Sequence, residues 1–128
     1  MATDTKTQVH EVVHVEIPAT DTAKLCSFYE AVFGWKFSAA PGMDNYMMGS
    51  TTGDMSGTGL AIFPKMEGAR PTNYFDVEDV GTYANKIEKQ GGKVIHRFTV
   101  KGMGYGAVCL DPEENVVGLW HGDSAATE

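Results

Sequence analysis

The stretch His14-Val15-Glu16-Ile17-Pro18-Ala19-Thr20-Asp21 runs through Leu25-Cys26-Ser27-Phe28-Tyr29 to Phe33-Gly34-Trp35, and its reading decides the fold. Its first part alternates. Val9, Glu11, Val13, Val15 and Ile17 fall on one face of a strand, and His10, Val12, His14 and Glu16 on the other. The first set is mostly β-branched and suits packing beneath a helix. The second is mixed and suits a partly wet surface. Thr20 or Asp21 can cap the helix that follows. Leu25, Phe28, Tyr29, Val32 and Phe33 then recur at helical spacing as one apolar stripe, and Gly34 fits a left-handed stop.

Working outward, short strands are expected at 35–38, 45–49 and 59–63. Between the last two, Ser50 to Gly57 is a Gly/Ser/Thr-rich loop, and Pro64 to Pro71 is the best linker. The second half repeats the plan. A strand at 73–77 precedes a helix capped by Asp79 that carries Val80, Tyr83, Ala84 and Ile87 and stops at Gly91-Gly92. Strands follow at 93–98, 105–110 and 116–120. One constant offset carries Asp21 onto Asp79, Gly34 onto Gly92, Phe37 onto Ile95 and Ile17 onto Phe75. Each half is therefore strand, helix and three strands, with units at 9–63 and 72–121 making one domain over 9–121. One helix per small sheet leaves the other sheet face uncovered. The expected fold is α+β, with two tandem βαβββ units forming a curled mixed sheet around a cleft. Such a cleft is a natural small-molecule site.

Composition narrows the function. The chain has 128 residues, 42% hydrophobic and 21% charged, with net charge −7. That is enough chain to bury a core without metals or disulfides. No Lys/Arg cluster points to nucleic acid or an anionic membrane. Cys26 and Cys109 sit in apolar patterns and read as buried free thiols. No signal peptide or membrane span is visible, so a cytoplasmic protein is expected. Residues 1–8 and 123–128 read as loose ends.

The ordered set of stretches resembles the vicinal oxygen chelate superfamily, which includes glyoxalase I, extradiol dioxygenases and bleomycin-resistance proteins. The stretches are His14 to Asp21, Phe28-Tyr29 before Val32-Phe33-Gly34-Trp35, Tyr74-Phe75-Asp76-Val77-Glu78-Asp79-Val80, Gly91-Gly92-Lys93-Val94 and Asp111-Pro112. The small glyoxalase-like members are the nearest in pattern. Enzymes of that superfamily hold a divalent metal through His, Gln or Glu on the first and last strands of each unit. Carried over, the resemblance puts His14 on one ligand position. The other three fall on Thr72, Gly118 and Leu60, with Ile62 the alternative to Leu60. A single imidazole does not hold a labile metal tightly. No cofactor is expected, and a degenerate metal site at His14 is the less favoured alternative. The resemblance also implies a turn at Asp111-Pro112 with glycine where Glu114 stands.

The expected cleft residues are His14, Tyr46, Met48, Thr72, Tyr74, Tyr105, Gly118 and Trp120, with strand alternation putting Tyr74 and Trp120 on the faces of the carried-over positions Thr72 and Gly118. These side chains either line a ligand site or fill the space, and Gly118 leaves room there. His14 and Glu16 are the catalytic candidates, and a His14/Glu16/Asp76 cluster is the remaining route to weak metal binding or acid–base chemistry. His10, His96 and His121 read as surface residues. The glycine-rich segments at 53–59 and 102–106 do not lead into helices and read as mobile loops at the cleft mouth. The expected function is binding of a small hydrophobic or aromatic molecule by a homodimer without the metal site. The alternative is a metal-dependent lyase, isomerase or dioxygenase.

Overall fold

The computed structural model of the chain describes residues 10–127. Val9 and the expected loose N-terminus lie outside them. Two helices and eight strands, counted among the described residues, make an α+β fold of two successive βαβββ runs. The described residues divide into two compact units: Val13–Asn73, and residues 74–127 together with 10–12.

In the first unit, β1 (Val12–Ala19) leads to α1 (Thr22–Phe33), then β2 (Phe37–Ala39), β3 (Met47–Ser50) and β4 (Gly59–Pro64). The strand order is β2-β3-β4-β1, with β4 and β1 parallel and the other pairs antiparallel. Asp21 is the helix cap, its Oδ1 accepting from Lys24 N–H at 3.0 Å, which stabilises the helix by about 1 kcal/mol. Gly34 ends it at φ 75°, its N–H reaching Glu30 O at 2.9 Å. Ala19, Cys26 and the fully buried Ile62 form the core with Ile17, Leu25, Tyr29, Phe37 and Met47.

The expected stripe on α1 is wider than its sheet. Leu25 and Tyr29 face the core, whereas Phe28, Val32 and Phe33 are 54%, 54% and 59% exposed. Part of this exposed surface is ordered by ring contacts. Tyr29 and Phe33 both stack on Trp35, with centroids 5.6 and 4.8 Å apart.

The second unit runs β5 (Thr72–Asp76), α2 (Val80–Lys89), β6 (Lys93–Val100), β7 (Gly104–Leu110) and β8 (Val116–Gly122), in the order β5-β8-β7-β6. Asp79 caps α2 through Thr82 N–H at 3.0 Å. Gly91, at φ 94°, takes the left-handed stop rather than Gly92. Val77, Val80, Ala84, Ala107, Cys109 and Leu119 form the core beneath α2. Both cysteines are free and buried, as expected.

Two loop expectations are corrected. The segment after β3 is not a loose loop. Asp54 Oδ1 accepts from Thr52 Oγ1, Ser56 N–H and Ser56 Oγ at 2.8, 3.0 and 2.7 Å. These bonds hold the Asp54 carboxyl down at about 2. The C-terminal tail is also tied down. Asp123 N–H donates to Met103 O, Gly102 N–H to Ala126 O, and Ala126 is buried.

Candidate functional site

In the first unit the helix-free face is set by cross-strand register. His14 pairs with Gly59 and Glu16 with Ala61, and Met48 pairs with Ala61 from the other side. Paired residues project to one side of a sheet, so His14, Glu16 and Met48 share a face with Gly59 and Ala61. Tyr46 joins them. Its hydroxyl donates to Glu16 Oε2 at 2.9 Å, and its ring stacks near Phe63 at 6.0 Å. Burial, then the charge and hydrogen bond of Glu16, push the Tyr46 phenol well above its ordinary range.

The His14 imidazole lies against Gly59. A Cβ on that glycine would meet Nδ1 at 2.7 Å, so glycine is what lets the ring lie there. Burial lowers the His14 pKa from 6.5, partly offset by the Glu16 carboxylate. The ring is therefore neutral at pH 7, which suits a hydrogen-bonding or ligating imidazole.

The second unit carries a row of rings. Tyr74 pairs with Gly118, and its ring covers that glycine so closely that a Cβ there would sit 2.5 Å from Cδ1. The expectation that Gly118 opens a cavity is corrected: Tyr74 occupies the room. Phe98 lies on Gly106 in the same manner. Tyr74 and Phe98 meet edge to face at 6.3 Å, and Phe98 and Trp120 are tilted at 6.5 Å. His96 stacks on Phe98 at 5.8 Å.

Phe98 and His96 were not among the expected site residues. Val94 packs beneath α2, and plain alternation puts His96 and Phe98 beside it. A bulge between Val94 and His96 breaks the parity: Val94 pairs with Cys109 and His96 with Val108, leaving Ile95 as the extra residue. No sequence signal marks the bulge; only the fold shows Ile95 exposed.

Tyr105 is corrected in the opposite sense. It packs against the core under α2, between Gly104 and Gly106 of the ring-covered face, and so is on the other side of β7. Thr72 is buried and its Oγ1 donates to Arg70 O at 3.2 Å. His10 Nδ1 lies 2.8 Å from Asp76 O and His121 Nδ1 3.1 Å from Val77 O, so both rings have backbone partners.

A metal fits these residues poorly. Leu60 and Ile62 are buried, and Ile62 is part of the core under α1. The positions on the His14 side of β4 are Gly59 and Ala61. Thr72 is engaged by Arg70 O, and Gly118 has no side chain. Among the described residues, no three His, Cys, Asp or Glu side chains gather to hold one ion, which corrects the His14/Glu16/Asp76 cluster as a metal site. A separate cavity of about 410 Å³ lies at the end of β1 and the first turn of α1, lined by Pro18 to Asp21, Lys24, Leu25, Phe28 and Lys65.

The family model of the glyoxalase/bleomycin resistance protein/dioxygenase superfamily matches residues 11–119. The chain belongs to that superfamily. Solved structures agree at the level of fold. A methylmalonyl-CoA epimerase in complex with methylmalonyl-CoA and NH4+ superposes with TM-score 0.68 at 15% identity, over 94% of this chain and 99% of that one. A Streptomyces coelicolor methylmalonyl-CoA epimerase gives 0.67 at 15% identity, over 92% and 98%. A superfamily member from Vibrio splendidus 12B01 gives 0.64 at 12%, over 88% and 99%. At such identities the likeness is one of fold. No curated protein gives a significant match. Among the described residues, no helix of this superfamily member is long and apolar enough to cross a membrane.

Proposed function

We propose that this superfamily member binds a small hydrophobic or aromatic molecule on its helix-free sheet faces, without the superfamily's metal site. The observation that carries this reading is the ring row Tyr74, Phe98 and Trp120, seated on Gly118 and Gly106. Phe98 and Trp120 are half-buried over the buried Tyr74, and aromatic surfaces of that kind give a ligand apolar area at little conformational cost. The donor-poor residues at Leu60, Thr72 and Gly118 support the absence of a metal quartet.

Purified chain would be titrated with apolar aromatic ligands in a Trp35→Phe background, so that Trp120 reports alone. The expected result is quenching that EDTA leaves unchanged. Stoichiometric Ni, Zn, Fe or Mn that is lost in His14→Ala would overturn the metal-free reading.

The second reading is a lyase or isomerase centred on His14 and Glu16. The Tyr46–Glu16 hydrogen bond favours it, because a clamped carboxylate beside a neutral imidazole is suited to moving a proton. A proton-exchange assay on α-protons of acyl thioesters tests it: deuterium wash-in abolished by Glu16→Gln supports this reading over simple binding. We also propose a homodimer. Among the described residues, strands β2 and β6 each have one unpaired edge, which favours association through an edge. Sedimentation showing a monomer at micromolar concentration would exclude it.

A further inference from the structure

We infer that the row formed by Phe98, Gly106, Trp120 and Asp76 selects a planar organic cation. The inference rests on the ligand-binding reading above and names the chemistry the site prefers. Register makes the row continuous across four strands: Phe98 pairs with Gly106, Gly106 with Trp120, and Trp120 with Asp76. Directly paired residues point to one side of a sheet with Cβ atoms about 5 Å apart. Two aromatic rings and a carboxylate therefore stand in line on the helix-free face.

Glycine at 106 lets the Phe98 ring lie on the backbone. A ring lying on a sheet offers its outer face to a ligand, and ring faces carry the negative end of the quadrupole. They attract cations, most strongly where water is displaced. Phe98 and Trp120 are half-buried, while Asp76 is exposed. The Asp76 backbone is used by His10 and Glu11, but its carboxylate has no partner among the described residues.

The two rows hold no lysine or arginine to pair with that carboxylate, and His96, stacked on Phe98, is their one imidazole. The neighbouring row holds His96, Val108, Gly118 and Tyr74. Arg97 belongs to the other side of β6, its guanidinium close to Gly81 at the start of α2. The net charge of −7 adds a long-range bias toward cations. A neutral flat ligand would use only the rings, and an aliphatic cation would lose the stacking. A planar cation uses both.

Calorimetric titration of the full chain near pH 8 tests this with N-methylquinolinium, its uncharged analogue 2-methylquinoline, and N,N-dimethylpiperidinium. N-methylquinolinium is expected to bind about tenfold tighter than either of the others. In Asp76→Asn, with folding verified by circular dichroism, its advantage over 2-methylquinoline should fall to about threefold or less. Raising salt should weaken the charged probe and spare the neutral one. Equal binding of the charged and neutral rings overturns the charge selection and leaves the small-molecule reading intact. An aliphatic cation that binds as well as the aromatic one overturns the planar preference. An unchanged advantage in Asp76→Asn overturns the assignment to this row. Failure of all three probes overturns the inference, and the binding reading then rests on the Trp120 titration alone.

Discussion

Tyr46 donates its phenolic proton to Glu16 over 2.9 Å, and the link spans β4 above Ala61, the shared register partner of Met48 and Glu16. The small side chain at 61 leaves space for it. Tyr46→Phe removes a hydrogen bond to a charged acceptor in a half-buried place, and should cost about 1–2 kcal/mol by urea unfolding. The raised phenol also has a pH signature. Folding keeps its proton on, so this contribution is complete below pH 10 and is lost as pH rises through the higher folded value. Ultraviolet titration should show a late-ionising tyrosine that vanishes in Tyr46→Phe.

His14 titrates in the opposite direction. Its folded pKa is below 6.5, so the unfolded chain takes up the proton first. The stability linked to His14 is whole above pH 6.5 and falls as pH drops toward the folded value. Denaturant unfolding between about pH 8 and 5 should show this loss, and His14→Gln should flatten it. In proton NMR, the His14 ring signals should titrate below the ordinary imidazole value of 6.5.

Gly118→Ala should be destabilising although the change is one methyl group. The added Cβ would fall 2.5 Å from the Tyr74 ring, which is buried and held edge-on by Phe98. Overpacking of this kind costs about 1–3 kcal/mol. The near-ultraviolet dichroism of the ring row should weaken with it. Unchanged melting would show that Tyr74 has another place to go.

Glu114→Gly should raise stability. Glu114 stands at φ 67°, a left-handed conformation that costs a side-chain-bearing residue about 1 kcal/mol. The turn is held by Asp111, whose Oδ1 accepts from Glu113 and Asn115 N–H at 2.8 and 2.9 Å. A gain of about 0.5–1 kcal/mol in thermal unfolding is expected. Asp111→Ala should reverse it by removing the acceptor for both amides.

Much of the first site face was legible because β1 is regular. With no bulge, the alternation that put Ile17 under α1 also put His14 and Glu16 opposite, while Tyr46 and Met48 were singled out as apolar residues and their face was set by cross-strand register. The second face was legible only in part. Tyr74 and Trp120 followed alternation, while Phe98 and His96 were hidden by the Ile95 bulge. Tyr105 was misplaced because its apolar ring suits either side of a strand. The exposure of Phe28, Val32 and Phe33 was equally hidden, since helical spacing gives the width of a stripe and not the width of what it meets.

The sequence by itself determined the βαβββ repeat and the Asp79 cap, narrowed the first cap to Thr20 or Asp21, and set the residue types, threonine and glycine, at positions 72 and 118. These depend on local rules: strand period, helix caps and side-chain chemistry. Tertiary structure decided which side chain fills the room a glycine leaves. Gly118 read as open space, yet Tyr74 lies on it, because a paired residue on the next strand is about 5 Å away and an aromatic ring reaches that far.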